Sequence, residues 1–284
     1  MSLIFRWSAY LPLSVLHMVG ALLGWVAYLA SPTYRRRFRE NVAQAGIAPR
    51  QARRAIAEAG KLVTELPWLW LRPRAEKLPK ITWQGVALLE AALAQGKGLV
   101  FMTPHVGSFE VVPQAHAARF SAQYGDMTIL YKPSKFAWLD GLLKQARSAP
   151  GLEAAPTTTA GVRMILKSLK QGRVVGMLPD QVPGEGQGVW APFFGRPAYT
   201  MTLALRLARQ TGAPILVALG DRLPWGRGYV IHVHSLQLPL DQGDEVAATA
   251  LNQAMEALIR QRPGMYLWSY ARYKQPRKET PPSA

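Results

Sequence analysis

His105 and Glu110, with four residues between them, lie in Thr103-Pro104-His105-Val106-Gly107-Ser108-Phe109-Glu110, directly after the apolar run Gly98–Met102. Such a run reads as a buried strand. A histidine at a strand end, a small flexible turn and then a carboxylate make a compact general base. The turn lets the carboxylate hold one ring nitrogen, and the other is free to take a proton from a hydroxyl. The same spacing also serves plain structural pairs, so the chemistry must be judged with the rest of the chain. The sequence has no cysteine and no G-x-S-x-G around a serine, so a covalent route lacks a good nucleophile. Ser108 sits where a helix N-cap belongs. Direct transfer to an external hydroxyl, activated by His105, fits best.

Other polar residues cluster at element ends. Tyr131-Lys132-Pro133-Ser134-Lys135 places two lysines at a strand-to-helix turn, where they suit a phosphate or are simply solvated. Arg163 lies on a helix over Ala160–Lys170, away from Val162, Ile165 and Leu169. Asp180 follows a strand in Leu178-Pro179-Asp180-Gln181 and precedes a glycine-rich loop. That loop lacks Gly-Lys-Ser/Thr and is not a phosphate-cradling P-loop. Aromatics in Val189–Gly195 suit either an apolar acyl groove or the core. His232 and His234 share one strand face, but no cysteine and no nearby carboxylate complete a metal set. No metal and no cofactor are expected.

These residues must be held by a scaffold. From Ile81 onward, short apolar runs alternate with helical segments. Strands are expected at Ile81–Gln84, Gly98–Thr103, Met127–Tyr131, Arg173–Leu178, Pro214–Gly220 and Tyr229–His234. Helices are expected at Val86–Gln95, Ser108–Phe120, Phe136–Arg147, Ala160–Lys170, Thr200–Gln210 and Glu245–Arg260. The alternation predicts an α/β fold with a mixed central sheet flanked by helices. Ahead of it, Tyr34–Ala45 and Pro49–Leu71 read as helices. Tyr10–Ala30 carries no Asp, Glu, Lys or Arg and as a helix would be about 30 Å long. Arg35, Arg36, Arg37 and Arg39 follow it, which argues against a cleaved signal peptide and places that side in the cytoplasm. The organisation expected is a membrane-associated anchor helix over residues 1–33, an α/β domain over 34–274 and a flexible tail over 275–284.

The formal charge is +17, from 34 Lys+Arg against 17 Asp+Glu. Such an excess suits nucleic acid, an acidic protein or an anionic membrane surface. Nine tryptophans and ten tyrosines favour the membrane, because these rings settle at its interface.

Taken together, the segments resemble the late acyltransferases of lipid A biosynthesis, within the larger group of lysophospholipid acyltransferase-like enzymes. The matching pieces are the N-terminal apolar segment followed by basic residues and Asn41, then PHVGSFE, LYKPSKFAWLD, Arg163, LKQGRVVGMLPDQ, APFFG and Tyr266–Lys274. The resemblance implies transfer of a fatty acyl group from acyl carrier protein to a 3-hydroxyacyl hydroxyl of a lipid A precursor. It implies His105 as general base and Glu110 as the group that orients it. Arg163 and Asp180 fall on positions linked to substrate binding or support, with Tyr131 and Lys132 beside them. Arg35, Arg36, Arg37 and Arg39 would touch anionic headgroups. The setting implied is the cytoplasmic side of a bacterial inner membrane, with membrane lipid and no nucleic acid as partner. The glycerol-phosphate branch usually carries a Phe-Pro-Glu-Gly-Thr-type block where this chain has Leu178–Val182, and often Asp where it has Glu110. The alternatives are an acyltransferase for another glycolipid or lysophospholipid, a lipid hydrolase, and a non-catalytic membrane-bound binder of anionic polymers.

Overall fold

The apolar N-terminal stretch forms two helices in the computed structural model, which describes residues 3–131, 140–141 and 149–281. They are α1 (Leu3–Ser8) and α2 (Leu13–Ala30). Pro32 ends α2 because it has no N–H to continue the ladder, and it opens α3 (Pro32–Gln44) instead. The Ser31 side chain caps that start by accepting from the Tyr34 N–H at 3.2 Å. The helix expected over Pro49–Leu71 is broken into a turn at Pro49–Ala52, α4 (Arg54–Thr64) and α5 (Leu66–Leu71).

Helix α2 packs on α4 backbone to backbone. A Cβ on Gly60 would lie 1.8 Å from the Gly20 carbonyl oxygen, and one on Gly24 would lie 2.2 Å from that of Ile56. These glycines therefore let two helices touch where any side chain would hold them apart.

The central sheet has the order β1-β9-β8-β2-β5-β3-β4. Its strands are β1 (Ile81–Gln84), β2 (Leu99–Met102), β3 (Met127–Tyr131), β4 (Leu152–Pro156), β5 (Val174–Met177), β8 (Ile215–Arg222) and β9 (Tyr229–Ser235). All neighbours are parallel except β8 and β9, so the sheet is mixed as expected. The inner strands β2, β3 and β5 are buried throughout, which is why they read as unbroken apolar runs rather than alternating ones. Strand β2 feeds two cores: Val100 and Met102 point to one face, Leu99 and Phe101 to the other. Helices α6 (Val86–Ala94) and α7 (Val111–Tyr124) cover the Leu99 face, while α8 (Thr159–Lys170), α9 (Leu203–Thr211) and α10 (Asp244–Gln261) cover the Val100 face.

Two features were not expected from sequence. Edge strand β4 has the composition Leu-Glu-Ala-Ala-Pro, poor in β-branched and aromatic residues. The hairpin of β6 (Gly188–Phe193) and β7 (Arg196–Met201) turns at Phe194-Gly195. Within it Phe193 and Phe194 are buried in the core, so they pack the interior rather than line an open groove. The expected helix at Phe136–Arg147 lies, apart from residues 140 and 141, outside the described residues, and so does Lys132. Beyond Lys274, the Glu279 carboxylate accepts from the Gly186 N–H at 2.8 Å and the Tyr199 hydroxyl at 2.9 Å.

Candidate active site

Strands β2 and β5 are parallel neighbours, so the residues just past their carboxyl ends meet. In sheets of this kind that is where ligands bind. His105 comes from the β2 end and Asp180 from the β5 end. Asp180 Oδ1 lies 2.8 Å from His105 Nδ1, and Asp180 Oδ2 accepts from the His105 backbone N–H at 2.9 Å. Both are buried, at 9% and 4% exposure. Burial pushes the Asp180 carboxyl up, but the charge and hydrogen bonds of His105 outweigh it and hold it below its ordinary value. An ionised carboxylate only accepts, so in the neutral imidazole Nδ1 carries the proton and Nε2 presents a lone pair. That lone pair meets the Gln181 side-chain nitrogen at 3.0 Å. Gln181 was not singled out from sequence, although it adjoins Asp180 in the same strand-end motif.

The ring is also framed by aromatics. Phe109 packs edge-on at 4.7 Å and Tyr270 lies parallel at 6.4 Å between centroids. The Tyr270 hydroxyl accepts from the Val182 N–H at 2.9 Å. The C-terminal segment holds the histidine from behind: Leu267 N–H donates to the His105 carbonyl at 3.1 Å and Gly107 N–H to that of Met265 at 3.0 Å. Asn41 in turn holds that segment through the carbonyls of Trp268 (2.6 Å) and Tyr270 (2.9 Å). Gly107, at φ +66°, sits so close to β8 that a Cβ would lie 2.3 Å from the Gly220 oxygen. The flexible turn read from sequence is thus a fixed one.

Glu110 occupies a different position from the one expected. It is buried at the start of α7, and its Oε2 accepts from the Trp70 indole N–H at 3.3 Å. Of the two ring nitrogens of His105, Nδ1 faces Asp180 and Nε2 faces Gln181. With Thr103, Phe109, Pro113, Met177 and Leu178, Glu110 lines a small, mainly apolar cavity above the sheet. Ser108 does not cap the helix with its side chain; its hydroxyl donates to Glu65 at 2.6 Å.

That bond joins the loop to a buried ion cluster which sequence reasoning missed, since its members come from distant segments. Arg222 donates to Glu65 at 2.7 and 2.6 Å, to Glu58 at 2.9 Å and to the Gly107 carbonyl at 3.3 Å. Glu65 also receives His17 Nε2 at 3.0 Å and the Tyr229 hydroxyl at 3.1 Å. Burial raises the Glu65 carboxyl, but the Arg222 charge and the hydrogen bonds overcome this and hold it at about 2.

The other expected site residues within the described residues lie on several elements. Tyr131 is buried at the end of β3. Arg163 is exposed on α8, the helix that follows β4. Arg36, Arg37 and Arg39 are exposed on α3, whereas Arg35 is half-buried and donates to the carbonyls of Tyr28 and Leu29. His232 lies 3.0 Å from Asp221, which also accepts from Arg262. Among the described residues no group of three metal-ligating side chains occurs.

Comparison with known proteins supplies the remaining information. The family model "Bacterial lipid A biosynthesis acyltransferase" matches residues 2–275. The chain is 26% identical to the lipid A biosynthesis lauroyltransferase of Escherichia coli over 218 residues, 76% of this chain and 68% of that one. It is 24% identical to the palmitoleoyltransferase of the same organism over 278 residues, 93% and 86% of the two chains. With the E. coli myristoyltransferase it shares 22% over 221 residues, 75% and 65% of the two.

Proposed function

The chain belongs to the bacterial lipid A biosynthesis acyltransferases, and from that premise we propose that it carries a fatty acyl group from acyl carrier protein to a 3-hydroxyacyl hydroxyl of a lipid A precursor. One observation carries the mechanism: a buried imidazole whose Nδ1 meets a carboxylate at 2.8 Å and whose Nε2 points to a displaceable amide at 3.0 Å. Asp180 fixes the tautomer and His105 is the general base. Glu110, tied to Trp70, braces the far end of the loop and so positions His105 through Phe109.

The acceptor hydroxyl replaces the Gln181 amide at Nε2. As its oxygen attacks the thioester carbonyl carbon, its proton passes to Nε2. The Gln181 N–H, released from the ring, donates to the carbonyl oxygen as negative charge develops there. Collapse breaks the C–S bond, and the imidazolium returns the proton to the leaving thiolate. A thiolate leaves readily, so no acyl-enzyme is needed. Exposed Arg163, with Lys132, takes acceptor phosphates, and buried Tyr131 supports the strand end beside Lys132. The excess of 17 positive charges draws both an acidic carrier protein and an anionic membrane. The α/β domain works on the cytoplasmic side of the inner membrane, with α1 and α2 in contact with membrane lipid.

The test is transfer by the purified protein from acyl carrier protein to a lipid A precursor with a free 3-hydroxyacyl hydroxyl, read by mass spectrometry. The expected product is heavier by one acyl group and needs the acceptor. Thioester hydrolysis without any acylated product would overturn the proposal.

A further inference from the structure

We infer that α1, the outer face of α2 and Trp225 form one apolar surface that sinks into a single leaflet, so that α2 lies along the bilayer surface and does not cross it. The inference rests on the membrane contact proposed above and specifies its geometry. Among the described residues, eleven of the sixteen exposed large apolar side chains fall between Leu3 and Leu29. On α1 they include Leu3, Ile4 and Trp7, each more than two-thirds exposed. On α2 they fall at Met18, Val19, Leu22, Leu23, Val26 and Leu29, a spacing that keeps them on one side of a helix. The opposite side, with Leu13, Leu16, His17, Gly20 and Gly24, is buried against the domain. A solvated protein does not gather an apolar stripe of this length without a partner for it.

Trp225 extends the stripe. It is 86% exposed and held at φ +59°, a left-handed conformation unusual for a bulky residue. Its turn abuts the first turn of α2 so tightly that a Cβ on Gly226 would lie 2.3 Å from the Ser14 nitrogen. The strain is kept while the indole gains nothing from the protein, as suits a ring meant for the lipid interface. Arg6, Arg36, Arg37, Arg39 and Arg227 are exposed on the segments that carry or directly follow the patch and match anionic headgroups.

A spanning orientation conflicts with what α2 is fastened to. Helix α4 runs beside it for most of its length, from Ile56 at Gly24 to Thr64, whose hydroxyl donates to the Leu16 carbonyl at 2.7 Å. Lys61 therefore sits level with the middle of α2, and Arg53 lies over the Trp25 ring at 5.1 Å. Upright in a bilayer, α2 would carry these cations into hydrocarbon, where charge is costly. It cannot part from them, because the His17 ring nitrogen meets Glu65 inside the domain at 3.0 Å. Lying flat, the apolar face enters the headgroup–acyl boundary and the charged neighbours stay in water.

The chain has no cysteine, so Arg6→Cys and Thr33→Cys, made separately in the full-length protein, report the two ends of α2. Spheroplasts and inverted inner-membrane vesicles are treated with a membrane-impermeant maleimide. Both positions are expected to be labelled from the same side; labelling from opposite sides overturns the inference. Separately, Leu22→Glu with Trp225→Ala should weaken partition onto phosphatidylethanolamine/phosphatidylglycerol vesicles at least about tenfold. If the parent protein does not bind these vesicles and forms a dimer that the double variant abolishes, the face belongs to a second copy and the inference fails. Activity of the parent protein in detergent measures the acyl-transfer reading apart from this one.

Discussion

The molecule holds two buried histidine–carboxylate pairs of almost the same length, His105–Asp180 at 2.8 Å and His17–Glu65 at 3.0 Å, and their surroundings give them different uses. Glu65 is fully buried and shared among Arg222, Tyr229, Ser108 and His17. Losing Arg222 from it would leave Glu58 and Glu65 buried without that cation. Around His105, Asp180 holds one nitrogen and the backbone, while the other nitrogen meets only the end of a glutamine side chain. Moving that amide frees a lone pair without stranding a charge. A short contact between histidine and carboxylate is therefore not by itself a catalytic sign; what decides is whether the second ring nitrogen can be given up to a substrate.

The largest effect separating the pairs is expected at His105. His105→Ala should lower acyl transfer about 10²–10⁴-fold with little change in the thermal midpoint. Asp180→Asn should follow with a loss of about 10²-fold or more in kcat and a smaller change in KM, because it removes the acceptor that fixes the tautomer. Transfer assays with circular dichroism as the folding control check both. Near-full activity in Asp180→Asn would return the bracing role to Glu110.

At the other pair the loss should be of stability. Arg222→Met leaves Glu58 and Glu65 buried without their cation and should cost about 3–5 kcal/mol, measured by urea unfolding. Adding Glu65→Gln should restore part of it, since one stranded charge is then gone.

A third histidine shows what happens with no carboxylate at all. His116 is buried among Phe101 and Phe120, with both ring nitrogens lacking a hydrogen-bond partner. Burial alone pushes its pKa down from 6.5 to about 4. The unfolded chain then binds the extra proton, so stability present above about pH 6.5 falls as pH drops toward about 4, by up to roughly 3 kcal/mol. Glu65, held at about 2 against an ordinary 4.5, acts lower: its contribution is whole above about pH 4.5 and lost toward about pH 2. Urea midpoints across pH should decline in two windows, and His116→Leu should remove only the upper one.

These contrasts also explain what the sequence made legible. The strand bearing His105, the sheet class and the Asp180 strand end follow from local apolar runs. The reading of Glu110 as the brace follows from the same locality: Glu110 is five residues from His105, whereas Asp180 is 75 residues away and arrives only because β2 and β5 are neighbours. The Glu65–Arg222 cluster joins residues 157 apart, and no period or motif announces it. Glycine is a poor helix former, yet Gly20 and Gly24 are the surface on which α4 rests.

The smallest expected effect tests the comparison most sharply, because it concerns a histidine with the same partner chemistry as His105. His17→Phe removes one of several groups on Glu65 while Arg222 continues to neutralise it. The ring volume is kept, so no large cavity opens, and the loss should be that of one charge-assisted hydrogen bond, about 1.5–3 kcal/mol. Per folded molecule, transfer in detergent should stay within a few-fold of the parent protein, because Ser108 and Arg222 still hold the His105 loop. If kcat instead fell as far as in Asp180→Asn while the urea midpoint stayed unchanged, the two pairs would share the chemistry, and the distinction drawn from the second ring nitrogen would be false.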